Sequence, residues 1–126
     1  MRFLLLVNGD REAWSALNDA EREAWQAAHD AARAEAQRRG IYVGSEPLKP
    51  AKTSRFVRVR DGKPIVVDGA HPETKEQLGG YYLLDARDAD EAAEIAALLP
   101  DARTGFIEVR PIQEMAAGGR PAAAYP

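Results

Sequence analysis

The stretch "RFVRVRDGKPIVVDG", residues 55–69, decides how the rest of the chain is read. Two runs that read as strands, the first with Arg interleaved among apolar residues, flank Asp61-Gly62. That pair suits a two-residue hairpin turn, whose central positions need a positive φ. In the first run Phe56, Arg58 and Arg60 share one face, and Val57 and Val59 share the other. An antiparallel hairpin in mid-chain divides the sequence into a first half and a second half with the same order of elements.

The first half begins with "RFLLLV" (2–7), a short apolar run that reads as a strand buried on both faces, broken at Asn8-Gly9-Asp10. A long helix is predicted from Asn18, where Asn18 and Glu21 have the form of a capping box, to Gly40 after Arg38-Arg39. Glu23, Gln26, Asp30, Arg33 and Gln37 make its polar stripe; Trp25, His29, Ala32 and Ala36 make the inward one. Trp14 and Leu17 are expected beneath its start. "IYVG" (41–44) reads as the second strand, and "SEPLKPAKT" as a Pro-bounded loop. The second half offers "GYYLLD" (80–85) as a strand and "DADEAAEIAALLP" (88–100) as a helix. Asp88 and Glu91 are placed at its start, Ala92, Ile95, Ala96 and Leu99 on its apolar stripe, and Pro100 at its end. "GFIEVRPI" (105–112) is the last strand, and "AAGGRPAAAYP" reads as a flexible tail.

This order, βαβ, hairpin, βαβ, predicts an α+β, ferredoxin-like domain over residues 1–112, with residues 113–126 as the tail. Two helices would cover one face of a mainly antiparallel sheet. Ile107, Val109, Val57 and Val59 would face the helices. The other face would carry Phe3 or Leu4, Phe56, Tyr81 or Tyr82, and Phe106. An apolar sheet face without cover needs a partner, and the simplest is a second copy about a two-fold axis. A homodimer is therefore expected, with Arg58, Glu108 and Arg110 as ion-pairing residues at the interface.

The bulk numbers narrow the class. With 126 residues, one domain with a real core is expected. A net charge of −3 with interspersed signs argues against a nucleic-acid binder. The absence of Cys removes disulfides and thiolate metal sites and is compatible with a reducing cytoplasm. The opening apolar run is too short for a signal peptide, and nothing approaches the roughly 20 apolar residues of a membrane span. A cytoplasmic protein that binds neither nucleic acid nor membrane is expected.

The chemistry gathers in and around "VVDGAHPETKEQLGGYYLLD" (66–85). Asp68-Gly69 is on one reading a turn pair whose carboxylate binds nearby N–H groups, and on another a carboxylate that orients His29. His29 is either a packed helix histidine or a general acid/base. His71, near Asp68 in the chain, is either an exposed loop residue or a second imidazole at the site. Lys75 sits in a charged turn that is either a solvated face or an anion site. Gly79-Gly80 would let the backbone bend back into the sheet. No metal-ligand spacing, phosphate loop or nucleophile elbow is present, so no metal or cofactor is expected.

The run "DGAHPETKEQLGGYYLLD" resembles the hallmark of the DGPF subgroup of the YCII-related proteins, close to D-G-P-F-x-E-T-K-E-Q-L-G-G-Y. "GDREAW", "AAHDAA", "GSEPLKP" and "IEVRPI" match further segments of that family, so the resemblance spans residues 1–112. It implies a dimeric α/β barrel of ferredoxin-like subunits, with a His of the first helix and an Asp as an acid–base pair in a cleft. By position these are His29 and Asp68. His71, Lys75, Glu46 and Tyr82 are the expected ligand contacts. The chain departs from the family where Ala70-His71 replaces Pro-Phe.

Two functions from different classes stand side by side. One is a small-molecule enzyme of lyase or isomerase type, moving protons on a small carboxylated compound. The other is a ligand-sensing or protein-binding accessory, linked by family analogy to an extracytoplasmic-function sigma factor. A purely structural role for the polar residues is the third reading.

Overall fold

The Asp61-Gly62 turn forms as its chemistry demands, with φ of 51° at Asp61 and 74° at Gly62. The strands it joins, β3 (Arg55–Arg60) and β4 (Lys63–Asp68), pair with each other in a two-stranded sheet of their own. The computed structural model describes residues 1–69, 76–116 and 118–121. Within these, the principal sheet has the order β2-β5-β1-β6, from β1 (Arg2–Asp10), β2 (Tyr42–Pro47), β5 (Glu76–Asp85) and β6 (Phe106–Pro111). Each neighbouring pair in it is antiparallel. The order interleaves two β-α-β units, a mixed α+β arrangement with an antiparallel sheet.

The helices follow the sequence with two additions. Asp10 caps a five-residue helix, α1 (Arg11–Ser15), by accepting from the Glu12 and Ala13 N–H groups. The capping box at Asn18 and Glu21 is complete, and α2 runs Asp19–Arg38, with Gly40 at φ 72° just past its end. Asp88 caps α3 (Ala89–Leu98) through the Glu91 N–H at 2.9 Å. The Glu91 carboxylate accepts instead from the Arg87 N–H, so this start is not a reciprocal box. Pro100 does more than stop α3: it caps a further turn, α4 (Asp101–Thr104). Past β6, two short strands, β7 (Met115–Ala116) and β8 (Arg120–Pro121), pair with each other.

The core lies between the principal sheet and the α2 and α3 helices. Phe3, Leu5, Leu84, Ile95 and Leu99 are fully buried there, with Ala32 and Ala36 on α2. Phe3 and Tyr82, which the sequence left between two faces, both belong to the core face. Ile107 and Val109 pack against this core, as expected. Val57 and Val59 do not: they remain 64% and 68% exposed, because the hairpin is outside the principal sheet. The opposite sheet face carries Leu4 and Leu6, whose register partners on β5 are Leu83 and Tyr81. Phe106, opposite Asn8, is 47% exposed on the same face, beside Glu108 paired with Arg110. No described helix is long and apolar enough to cross a membrane.

Two glycines are demanded by close backbone approach. Gly80 lies inside β5 rather than at a re-entry bend, beside the bulge that shifts the β1 register between Val7 and Asn8. A Cβ there would sit 3.0 Å from the Glu46 carbonyl oxygen on β2. At Gly105, where α4 meets β6, a Cβ would lie 2.1 Å from the Asn8 carbonyl oxygen.

Candidate functional site

Helix α2 brings its Trp25, His29 and Arg33 to one face at i, i+4 and i+8, above the end of the sheet. Across from them, β5 directs Tyr82 to the core face, because its register partner on β1 is the buried Leu5. The two elements meet at the imidazole. His29 Nδ1 lies 2.7 Å from the Tyr82 hydroxyl, and the rings stack at 16° with centroids 6.0 Å apart. On its other side His29 Nε2 lies 2.7 Å from Asp101 Oδ1. Both members of that pair are largely buried, with side chains 18% and 15% exposed.

Asp101 is held there by the short α4 turn. Its backbone carbonyl accepts from the Gly105 N–H at 2.8 Å, and its Oδ2 packs 3.3 Å from the position a Cβ on Gly9 would take. Helix α4 thus lies close to β1 while the carboxylate faces the imidazole. Tyr82 keeps only 4% of its surface exposed. Burial pushes its phenol above the ordinary value, and the Arg33 guanidinium acts in the opposite direction. Arg33 is itself tied to Asp30 at 3.0 Å. The neighbouring Tyr42 hydroxyl exchanges a hydrogen bond with Ser45 Oγ at 2.6 Å.

His29, Arg33, Tyr82 and Asp101 border a cavity of about 380 Å³ between α1, α2, the β2 end and β5. Trp14 and Trp25 form one wall, edge to face at 6.0 Å. Pro47, Leu48, Pro50 and Leu78 line the other parts, and Arg11, Lys49 and Glu46 supply charge. Gln26 and Arg33, assigned by pattern to the polar stripe of the helix, border the cavity as well. A polar stripe next to a cleft is exposed to the cleft rather than to bulk water, which periodicity does not distinguish.

Of the residues singled out from the sequence, the structure brings His29, Tyr82 and Glu46 to this cavity. Asp68 is not the partner of His29. It lies at the end of β4, 78% exposed, with its carboxylate 3.0 Å from the Arg55 guanidinium of the same hairpin. The reason is the same one that leaves Val57 and Val59 in solvent: β4 belongs to a separate sheet. His71 and Lys75 lie outside the described residues. Sequence reasoning missed Asp101. The available signal was Pro100-Asp101 followed by Gly105, a Pro-led turn with a glycine stop, which reads as a second short helix once Pro100 is taken as a start. Among the described residues no three His, Asp or Glu side chains converge as metal ligands.

Chemically, the site joins a neutral phenol, an imidazole and a carboxylate in one line. A carboxylate on one ring nitrogen fixes the imidazole tautomer and stabilises its protonated form. An uncharacterised protein of Rhizobium meliloti (strain 1021) is 45% identical to this chain over 67 residues. That match covers 52% of this chain and 54% of the relative, about half the length of each. The YCII-related domain, by contrast, matches residues 1–116. With nearly the whole chain matched, this protein belongs to the YCII-related family.

Proposed function

We propose that this protein is a DGPF-type member of its family and a small-molecule enzyme of lyase or isomerase type, working by proton transfer at His29. The orienting carboxylate is Asp101 rather than Asp68. The observation that carries the reading is the imidazole held at 2.7 Å on both sides, by Tyr82 and by Asp101, at the edge of a cavity. General acid–base chemistry needs a group that gives and takes protons near neutrality, and imidazole is the side chain suited to it. The cavity has the dimensions of a small ligand. Its indole wall suits a flat apolar body, and Arg11 and Lys49 suit a carboxylate. The domain acts as a cytoplasmic homodimer, a dimeric α/β barrel formed when the outer sheet faces of two copies pack together. Leu4, Leu6, Leu83 and Phe106 support that assembly.

Binding of benzoate, followed by amide and indole chemical shifts, tests the ligand class. Shifts confined to Trp14, Trp25 and the Ser45–Ala51 segment are expected; their absence at millimolar benzoate removes it. The enzyme reading expects His29→Ala to keep the dimer folded and lose turnover. Ligand-dependent thermal stabilisation that survives His29→Ala without any turnover in the wild type would favour the sensing accessory tied to a sigma factor instead.

A further inference from the structure

His29 has no ring nitrogen left to offer a substrate. Nε2 is occupied by Asp101 and Nδ1 by the Tyr82 hydroxyl, each at 2.7 Å. A group that touches a ligand must therefore stand at one end of this line. Asp101 borders the cavity too, but its Oδ1 is held on the imidazole and its charge is what balances the ring when it is protonated. Tyr82 borders the cavity as well and is the end that carries a proton: its O–H faces Nδ1 while its oxygen keeps a lone pair.

From this geometry we infer that Tyr82 is the catalytic residue that exchanges a proton with the substrate, while His29 and Asp101 act behind it as a relay. The inference rests on the proton-transfer reading of the site given above and names its reacting atom.

The 2.7 Å contact between Nε2 and a carboxylate oxygen needs a hydrogen on Nε2, since two bare acceptors would repel at that distance. In neutral His29 the Nδ1 atom is then the acceptor, and the Tyr82 O–H is the donor. A substrate C–H beside a carbonyl or carboxylate gives its proton to the phenol oxygen and keeps the electron pair. The phenol's own proton passes to Nδ1 in the same step. The products are a substrate carbanion or enolate, a neutral phenol and an imidazolium balanced by the Asp101 carboxylate. The reverse transfer returns the proton, so the step is redox-neutral and needs no co-reactant. This is the logic of a Ser-His-Asp triad with a phenol in the place of the serine and a proton, not an acyl group, as cargo.

The surroundings fit the role. Burial keeps the phenol protonated at rest, so it enters the cycle with a proton to hand on. The Arg33 guanidinium from α2 favours negative charge as it develops on the oxygen, and the Tyr42 hydroxyl on β2 is the other titratable group that acts on it besides Asp101 and His29. Tyr82 is anchored in the strand next to Leu5 and Ser45, so its hydroxyl is fixed relative to the sheet.

Phenylpyruvate is the probe: it carries an aromatic ring, a carboxylate and an enolisable methylene. Deuterium uptake at that methylene from D2O, read by proton NMR, is measured for the wild type, His29→Gln and Tyr82→Phe, together with the imidazole 15N spectrum of each. Exchange by the wild type, lost by about 100-fold or more in both variants, is expected, since positioned acid–base groups contribute about 10²–10⁴-fold. Tyr82→Phe should retain the Nε2–H signature and shift only Nδ1. Full exchange activity in Tyr82→Phe, with His29→Gln inactive, means that the imidazole acts directly and overturns the inference while leaving the proton-transfer reading intact. A bare Nε2 in the wild type also overturns it. No exchange above the uncatalysed rate in the wild type overturns the reading of the site and the inference with it.

Discussion

The β3–β4 hairpin and the pair of central strands β1 and β5 carry similar local signals, yet they end in opposite environments. Both show short apolar runs beside turn or glycine residues. In β1 and β5, Phe3, Leu5, Tyr82 and Leu84 are buried. In β3 and β4 all residues are exposed, including Val57, Val59, Val66 and Val67. The comparison teaches that alternation specifies a strand, while burial depends on whether a helix layer stands over it. α2 and α3 stand over the principal sheet only, and Asp68 follows its strand into solvent while Asp101 follows its helix turn to His29 at the cavity edge.

The largest effects should come from the covered region. Leu84→Ala, at a fully buried position, should cost about 2–5 kcal/mol in denaturant unfolding. Val59→Ala on the hairpin should stay within about 0.5 kcal/mol. Equal losses would break the comparison by showing that the hairpin is covered in the working assembly. Gly105→Ala belongs with the large effects, because its Cβ would meet the Asn8 oxygen; about 1–3 kcal/mol is expected from the forced backbone shift.

A second probe concerns the uncovered sheet face. Leu83→Glu places a charge among Leu4, Leu6 and Phe106 and should convert a dimer into a monomer in light scattering at micromolar concentration. A wild-type monomer there would end the dimer proposal. A third sharpens the contrast between the two aspartates. Asp101→Ala should destabilise by about 1.5–3 kcal/mol, as expected for a buried hydrogen bond to a charged group, and shift the His29 15N resonances. Asp68→Ala should cost under about 1 kcal/mol, the range of an exposed ion pair, and leave His29 unmoved.

The smallest expected effect is electrostatic and lies at the α2 C-terminus. Hydrogen bonds from Arg38, then Arg39, hold the Glu35 carboxyl down at about 2 against a reference of 4.5. The unfolded chain therefore takes up this proton first as the pH falls. The contribution is complete above about 4.5 and is lost as the pH falls toward about 2. Because the group is at the surface, salt should weaken it, and Glu35→Gln should flatten the acid limb of a stability curve only slightly.

Much of the fold was legible in the residues. Asp61-Gly62 names its turn because few residues tolerate two successive positive φ values. Asn18 and Glu21 mark the α2 start because their hydrogen bonds are local. His29 was legible as inward-facing from its spacing with Trp25 and Ala32. The α4 turn was hidden behind Pro100, whose fixed φ suits both the end of one helix and the start of the next. The bulge at Gly79-Gly80 looked like a bend because glycine also serves close backbone contacts, which need a neighbouring strand to be seen.

What the sequence by itself determined are the features governed by neighbours a few residues apart: the hairpin turn, the helix caps, the inward stripe of α2 and the order of elements. The tertiary structure alone decided which carboxylate meets His29, that Tyr82 closes the other side of the ring, and that β3 and β4 stand apart from the principal sheet. Those outcomes join residues 53 and 72 positions apart in the chain, and no local spacing encodes such distances. They are set by how the helices pack on the sheet, where burying Phe3, Leu5, Leu84 and Ile95 together fixes the line on which Tyr82, His29 and Asp101 meet.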